Sequence, residues 1–188
     1  AARVAAADAD LRKPLVFPPR GGQHNQWYQC DACQLALVTV DATHHRCTKC
    51  GKVYLGEPYD DVIFGITHEE NLSRLLDAAW AYMVTGDAKF ADCAHRILLG
   101  YAERYREYPY HSAGRGDSDW DRVAGGHLFE QTLNESSAMV LQIAPAFDLI
   151  GEALSVAERA AIVEGLILPL LRNLDRNPCG RTNWQTWH

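Results

Sequence analysis

The sequence predicts a mostly α protein, an incomplete α/α toroid of antiparallel helical hairpins, with a small zinc-ribbon-like insertion near the N-terminus. Three observations lead there. Apolar residues recur at helical spacing from Thr67 onward, and the breaks between these runs are short enough to fold each helix back on the last. Two Cys-x2-Cys pairs lie close together between residues 30 and 50. A plain helical bundle would use the same hairpins.

The chain of 188 residues is long enough for one domain with a sizeable core, and its 47% hydrophobic content is ordinary for a globular protein. A net charge of −6 offers no broad cationic surface for nucleic acid. A site for an acidic sugar would therefore have to concentrate its donors locally. No apolar run reaches the length of a membrane span. Ala1 to Lys13 is Ala-rich, with Arg3, Asp8 and Asp10 spaced through it, and lacks the charged head and apolar run of a signal peptide. It reads as the end of a helix stopped before Pro14. With no initiator Met and an abrupt end at His188, the chain is expected to be a segment of a longer protein.

Residues 1–66 form the first expected unit, irregular in text and rich in Pro and Gly. Within it Cys30, Cys33, Cys47 and Cys50 make a knuckle over about 27–54, the two pairs separated by thirteen residues. Two sulfurs at this spacing can approach one ion from a single tight turn, and the second turn completes a tetrahedron. Four protein ligands leave no open position, so the expected cofactor is structural Zn²⁺. Disulfides or redox thiols compete with that reading, as does substitution of a thiolate by His44 or His45. Thr39–Asp41 and Lys52–Tyr54 read as flanking strands. Cys93 and Cys179 read as buried small apolar residues.

The second unit, 67–188, starts the toroid. Thr67 and Glu70 match a capping box, and Leu72, Leu75, Leu76, Ala79, Trp80 and Met83 make an apolar stripe. Gly86 breaks it, and Asp87 caps a second helix with Phe90, Ala94, Ile97, Leu98, Tyr101 and Tyr105 inward. Residues 108–126 are a polar loop holding Arg115, Asp117, Asp119 and Arg122, read as solvated. A third helix over 127–150 turns Leu133, Val140, Ile143, Phe147 and Ile150 inward and kinks at Pro145. Ser155 and Glu158 then cap a fourth, carrying Val156, Val163, Leu166, Ile167, Leu170 and Leu171. His68 and His127 fall at helix starts, where local hydrogen bonding accounts for them. These helices are too few to close a toroid.

Three stretches carry a family resemblance: LLDAAWAYMVTGDAKFADCAHRILLGYAERY from Leu75 to Tyr105; Gln131-Thr132-Leu133-Asn134-Glu135, continuing into Ala146-Phe147-Asp148-Leu149-Ile150; and Asn183-Trp184-Gln185-Thr186-Trp187-His188. Together they resemble the heparinase II/III-like polysaccharide lyases, which include alginate and heparan-type lyases. The resemblance implies a toroid followed by a β-sandwich region in the same polypeptide, an acidic polysaccharide or oligosaccharide as substrate, and a periplasmic or secreted setting. It also implies that Asn183 contacts the uronate carboxylate while a tyrosine and often a histidine handle protons. That puts His188 forward, although several relatives place the histidine directly beside the asparagine, where Trp184 stands here. The tyrosine is expected beyond residue 188. The four-cysteine knuckle is not general to the family.

A lyase removes the C5 proton of a uronate and expels the 4-linked oxygen. Donors aimed at the carboxylate stabilise the enolate-like charge, and an amide suits this because it does not titrate. Asn183 is therefore the expected catalytic amide, with His188 beside it; a helix cap is the competing role for Asn183. Gln131 and Glu135 share a helical face and are expected to bind substrate with Trp184 and Trp187, the indoles stacking on sugar rings or else packing in the core. A glycoside hydrolase would need two flanking carboxylates, and Glu135 has no obvious partner here. A non-catalytic zinc-stapled carbohydrate-binding or scaffold module is the third reading.

Overall fold

The computed structural model describes residues 2–25, 28–112 and 125–177. The expectation of a mostly helical chain with a small sheet holds. In order come α1 (Ala2–Asp10), β1 (Leu37–Asp41), β2 (His44–Cys47), β3 (Val53–Tyr54), α2 (Tyr59–Thr85), α3 (Ala88–Arg104), α4 (Thr132–Ala138), α5 (Ala144–Leu149), α6 (Val156–Ile162) and α7 (Leu168–Arg176). Among the described residues no helix is long and apolar enough to cross a membrane.

The strands form one antiparallel sheet in the order β1-β2-β3, with Leu37 opposite Cys47, and His45 opposite both Thr39 and Tyr54. Along β2 burial alternates, so His45 and Cys47 turn inward while His44 and Arg46 face solvent. Asp41 closes the β1–β2 turn by accepting the N–H groups of Thr43 at 2.9 Å and His44 at 3.0 Å.

Helix α2 begins at Tyr59, not at the Thr67 that the capping-box match selects, and it runs through residue 66, where the two expected units meet. Thr67 lies inside the helix and donates its hydroxyl to the Ile63 carbonyl at 3.0 Å. Asp60 and Asp61 sit in the first turn, where carboxylates complement the helix dipole. Gly65 is no breaker but a contact. A Cβ on Gly22 would stand 2.2 Å from the Gly65 Cα, so the 21–25 segment lies directly on the helix.

Gly86 ends α2 in the left-handed conformation, and Asp87 caps α3 by accepting the Lys89 N–H at 3.1 Å. The turn sets α2 and α3 side by side as an antiparallel pair, and every residue of the expected α3 stripe is buried. On α2 the core side is Leu72, Leu75, Ala78 and Ala79, whereas Trp80 and Met83 are exposed.

The helix expected over 127–150 starts only at Thr132 and does not kink simply at Pro145. A π-helical turn, Met139–Ile143, joins α4 to α5, and the Ala144 N–H reaches the Met139 carbonyl. A second π turn, Val163–Ile167, joins α6 to α7 ahead of Pro169, with the Leu168 N–H on Val163. A proline removes one donor and crowds the carbonyl four residues back, and one inserted residue relieves that crowding. The insertion also rotates the inward face. Met139 and Ala146 are buried beside Ile143 and Ile150, while Val140 is exposed. In the last helix Ile162, Leu166 and Leu170 are fully buried, and Val156 and Leu171 point out. The Ser155–Glu158 capping box forms as its sequence requires.

Candidate functional site

The two Cys-x2-Cys turns meet under the sheet. Their four sulfurs lie within 4.8 Å of one another, and Cys30 Sγ to Cys50 Sγ is 3.7 Å. That separation is far from a disulfide bond of about 2.05 Å and close to the edge, about 3.8 Å, of a tetrahedron with metal–sulfur bonds of about 2.3 Å. All four are free thiols able to hold a metal ion. The turns match: Gln34 and Gly51, each following a second cysteine, both take positive φ. The Tyr54 hydroxyl, 3.2 Å from Cys30 Sγ, lowers that thiol's pKa, the direction that favours a ligating thiolate.

His45 is not a ligand. Fully buried, it bonds Tyr28 Oη through Nδ1 at 2.7 Å and Asp60 Oδ1 through Nε2 at 2.9 Å. Asp60 lies in the first turn of α2 and also accepts the Gly56 N–H at 3.1 Å. The imidazole thus ties the knuckle to the start of the helical body. His44 lies at the surface, bonded to Asp41 at 2.9 Å.

Beside the C-terminal end of α3 a second polar centre is built around Glu135, which is fully buried. Its Oε1 accepts the N–H groups of His127 at 2.7 Å and Leu128 at 2.6 Å, and its Oε2 accepts the Tyr105 hydroxyl at 2.7 Å and Asn173 Nδ2 at 2.8 Å. This is why residues 127–131 stay out of the helix: their leading N–H groups are held by the carboxylate. Gly126 is required here, since a Cβ would stand 2.1 Å from Glu135 Cδ. Burial, then the Glu135 charge, pushes the Tyr105 hydroxyl far above its ordinary range, so Tyr105 is a fixed donor.

Above this brace opens a cleft of about 460 Å³, walled by Arg106, Tyr110, His127, Arg172, Asn173 and Arg176, with Tyr105 at its base. Among the described residues none of the three arginines is in a salt bridge; Arg106 donates to the Glu164 carbonyl at 2.7 Å. The cleft wall contains no carboxylate among the described residues. The expected Gln131 caps α4 without a side-chain cap bond, and Glu135 lies beneath the cleft, fully enclosed. Asn183, Trp184, Trp187 and His188, with Cys179 and the loop residues Arg115 to Arg122, lie outside the described residues. Sequence reading missed Arg172 and Arg176, although their i, i+4 spacing on α7 aligns two cations on one face. It missed Tyr110 and Asn173 because nothing local marks them.

His68 is not at a helix start but buried inside α2. The Arg20 carbonyl accepts from Nε2 at 3.0 Å, so Nδ1 accepts the Tyr101 hydroxyl at 3.0 Å. Burial holds it down at about 4, the neutral form. Glu130 lines a smaller cavity with Glu69 and Asn134, and burial pushes its carboxyl up to about 7. The folded chain therefore keeps a proton that the unfolded chain, titrating near 4.5, has released. This contribution is complete below pH 4.5 and is lost as pH rises through 7, by about 3 kcal/mol at most. Glu130→Gln, which mimics the neutral acid, is expected to match the wild type at pH 5 and exceed it at pH 8. Denaturant titrations at both pH values check this, and equal stability at pH 8 refutes it.

A mostly helical chain with a cationic, aromatic-walled cleft and a separate four-cysteine cluster is the class that fold and geometry define. The chain matches no protein-family model. Over 113 residues it is 34% identical to an exo-oligoalginate lyase of Saccharophagus degradans, a match covering 58% of this chain and 14% of that protein. Over 117 residues it is 35% identical to an alginate lyase of Stenotrophomonas maltophilia, covering 61% of this chain and 15% of that one. The chain thus spans about 15% of the length of these curated relatives. The likeness supports a polysaccharide-lyase relationship.

Proposed function

We propose that the chain is the cleft-forming start of a polysaccharide lyase of the heparinase II/III-like group, its helices opening an α/α toroid, and that it cleaves a uronate-containing glycan by β-elimination. The observation that carries this is the local gathering of Arg106, Arg172 and Arg176 around one cleft in a chain of net charge −6. Guanidinium groups with no carboxylate partner among the described residues are suited to bind an anionic ligand, and their planar forks match a carboxylate. Similarity to two alginate lyases supports the same reading. A glycoside hydrolase fits less well, because among the described residues the cleft wall holds no carboxylate and Glu135 beneath it is enclosed and fully engaged.

In the reaction a base takes the C5 proton, the electron pair forms the C4–C5 double bond, and the C4–O bond breaks with the leaving oxygen protonated. Arginines on the carboxylate stabilise the charge that develops beside C5, and Asn183 adds an amide donor to the same group. Gln131, Trp184 and Trp187 extend the sugar-binding surface. Glu135 contributes by holding Tyr105, Asn173 and the His127 backbone in place. The knuckle holds Zn²⁺ on Cys30, Cys33, Cys47 and Cys50, a closed site with a structural role.

The test uses the full-length enzyme and follows the ultraviolet absorbance of the new double bond. Asn183→Ala is expected to lower kcat by about 10²-fold or more with a much smaller rise in KM. If Asn183 only caps a helix, the change costs about 1 kcal/mol of stability and kcat stays near wild type. Wild-type enzyme that produces reducing ends without the chromophore overturns the lyase reading.

A further inference from the structure

We propose that His127, and not His188, is the histidine that accepts the C5 proton, through Nε2. This rests on the lyase reading and specifies a residue that the family resemblance does not point to. The geometry carries it in three steps. First, Nδ1 lies 2.7 Å from the Tyr108 carbonyl oxygen, which can only accept, so Nδ1 carries the proton and the neutral ring presents Nε2 as its lone-pair nitrogen. Second, the ring is fixed by its neighbours. Tyr105 packs against it at 5.2 Å and Tyr110 meets it edge-on at 5.8 Å, while its own N–H is bound to Glu135. Third, it shares the cleft wall with Arg106, Arg172 and Arg176. A carboxylate seated on those guanidinium groups brings C5, one bond away, to the same wall.

The other groups facing the ring do not compete as bases. Tyr105 gives its proton to Glu135, and Glu135 is saturated with donors. The Tyr110 oxygen is engaged by the Gly125 N–H at 2.9 Å. The arginines are permanently charged. In the step His127 Nε2 takes the C5 proton, the C5–H electrons form the C4–C5 double bond, and the C4–O bond breaks. The leaving oxygen takes a proton from water, and the imidazolium neutralises the hydroxide that remains.

His127→Asn in the full-length enzyme tests this, because the asparagine amide can still donate to the Tyr108 carbonyl while Nε2 is lost. The expected result is a fall in kcat of about 10²-fold or more, KM within about threefold, and loss of the acid limb of the pH–rate profile. Calorimetric binding of a uronate oligomer should persist. A kcat near wild type with the acid limb intact overturns the assignment. Should the asparagine variant fold poorly, His127→Ala with added imidazole replaces it: restored chromophore formation supports the role, and a folded, substrate-binding variant that imidazole does not rescue overturns it. Wild-type enzyme that forms no chromophore sinks the lyase reading instead, whatever the variants do.

Discussion

Cys47→Ser is expected to empty the knuckle of metal and to unfold more than the knuckle. Wild-type protein purified without added metal should carry about one zinc per chain, and the variant close to none by elemental analysis. Cys47 is buried and pairs with Leu37 across the sheet, so losing the metal releases β1 and β2 together. His45, two positions earlier on β2, then loses its place between Tyr28 and Asp60, and the first turn of α2 loses its anchor. Hydrogen exchange should accelerate over residues 28–60 while α3 and α5 to α7 keep their protection. A metal-free wild type with Cys30 and Cys33 joined as a disulfide removes the zinc assignment. Loss of protection that stops short of Tyr59 removes the link through His45.

Glu135→Ala should cost about 3–5 kcal/mol. The substitution strands the Tyr105 hydroxyl, the Asn173 amide and the N–H groups of His127 and Leu128 away from water. For a chain of this length the melting temperature should fall by about 10 °C. Glu135→Gln separates acceptor capacity from volume. It fills the same space but turns an NH₂ toward groups that are all donors, so it should still cost about 2 kcal/mol. A glutamine variant as stable as wild type shows that packing, not the converging hydrogen bonds, is what Glu135 supplies.

Much of this was legible without coordinates. The knuckle could be read because its four ligands come as two short turns, each complete within local sequence. The α3 stripe and the Ser155–Glu158 cap were legible for the same reason. Where structure and local pattern differ, distant groups override the local signal. Thr67 and Glu70 form a valid cap pattern, yet Asp60, tied to His45, starts the helix earlier. Pro145 signals a disturbance, but whether it kinks the helix or widens one turn depends on what the rotated face can bury.

The cleft lies at the far end of that scale. Arg106 comes from the turn just after α3, Tyr110 and His127 from the segments around the loop, and Arg172 and Arg176 from α7. No spacing in the chain joins them. The sequence by itself determined a mostly helical chain, the four-cysteine knuckle and the likeness to lyases, because each rests on periodicity or motif within a few turns. Only the tertiary structure decided that Glu135 braces the cleft from beneath and that His127 stands in the cleft wall with Nδ1 on the Tyr108 carbonyl. A buried carboxylate must collect its donors from wherever the packed chain brings them.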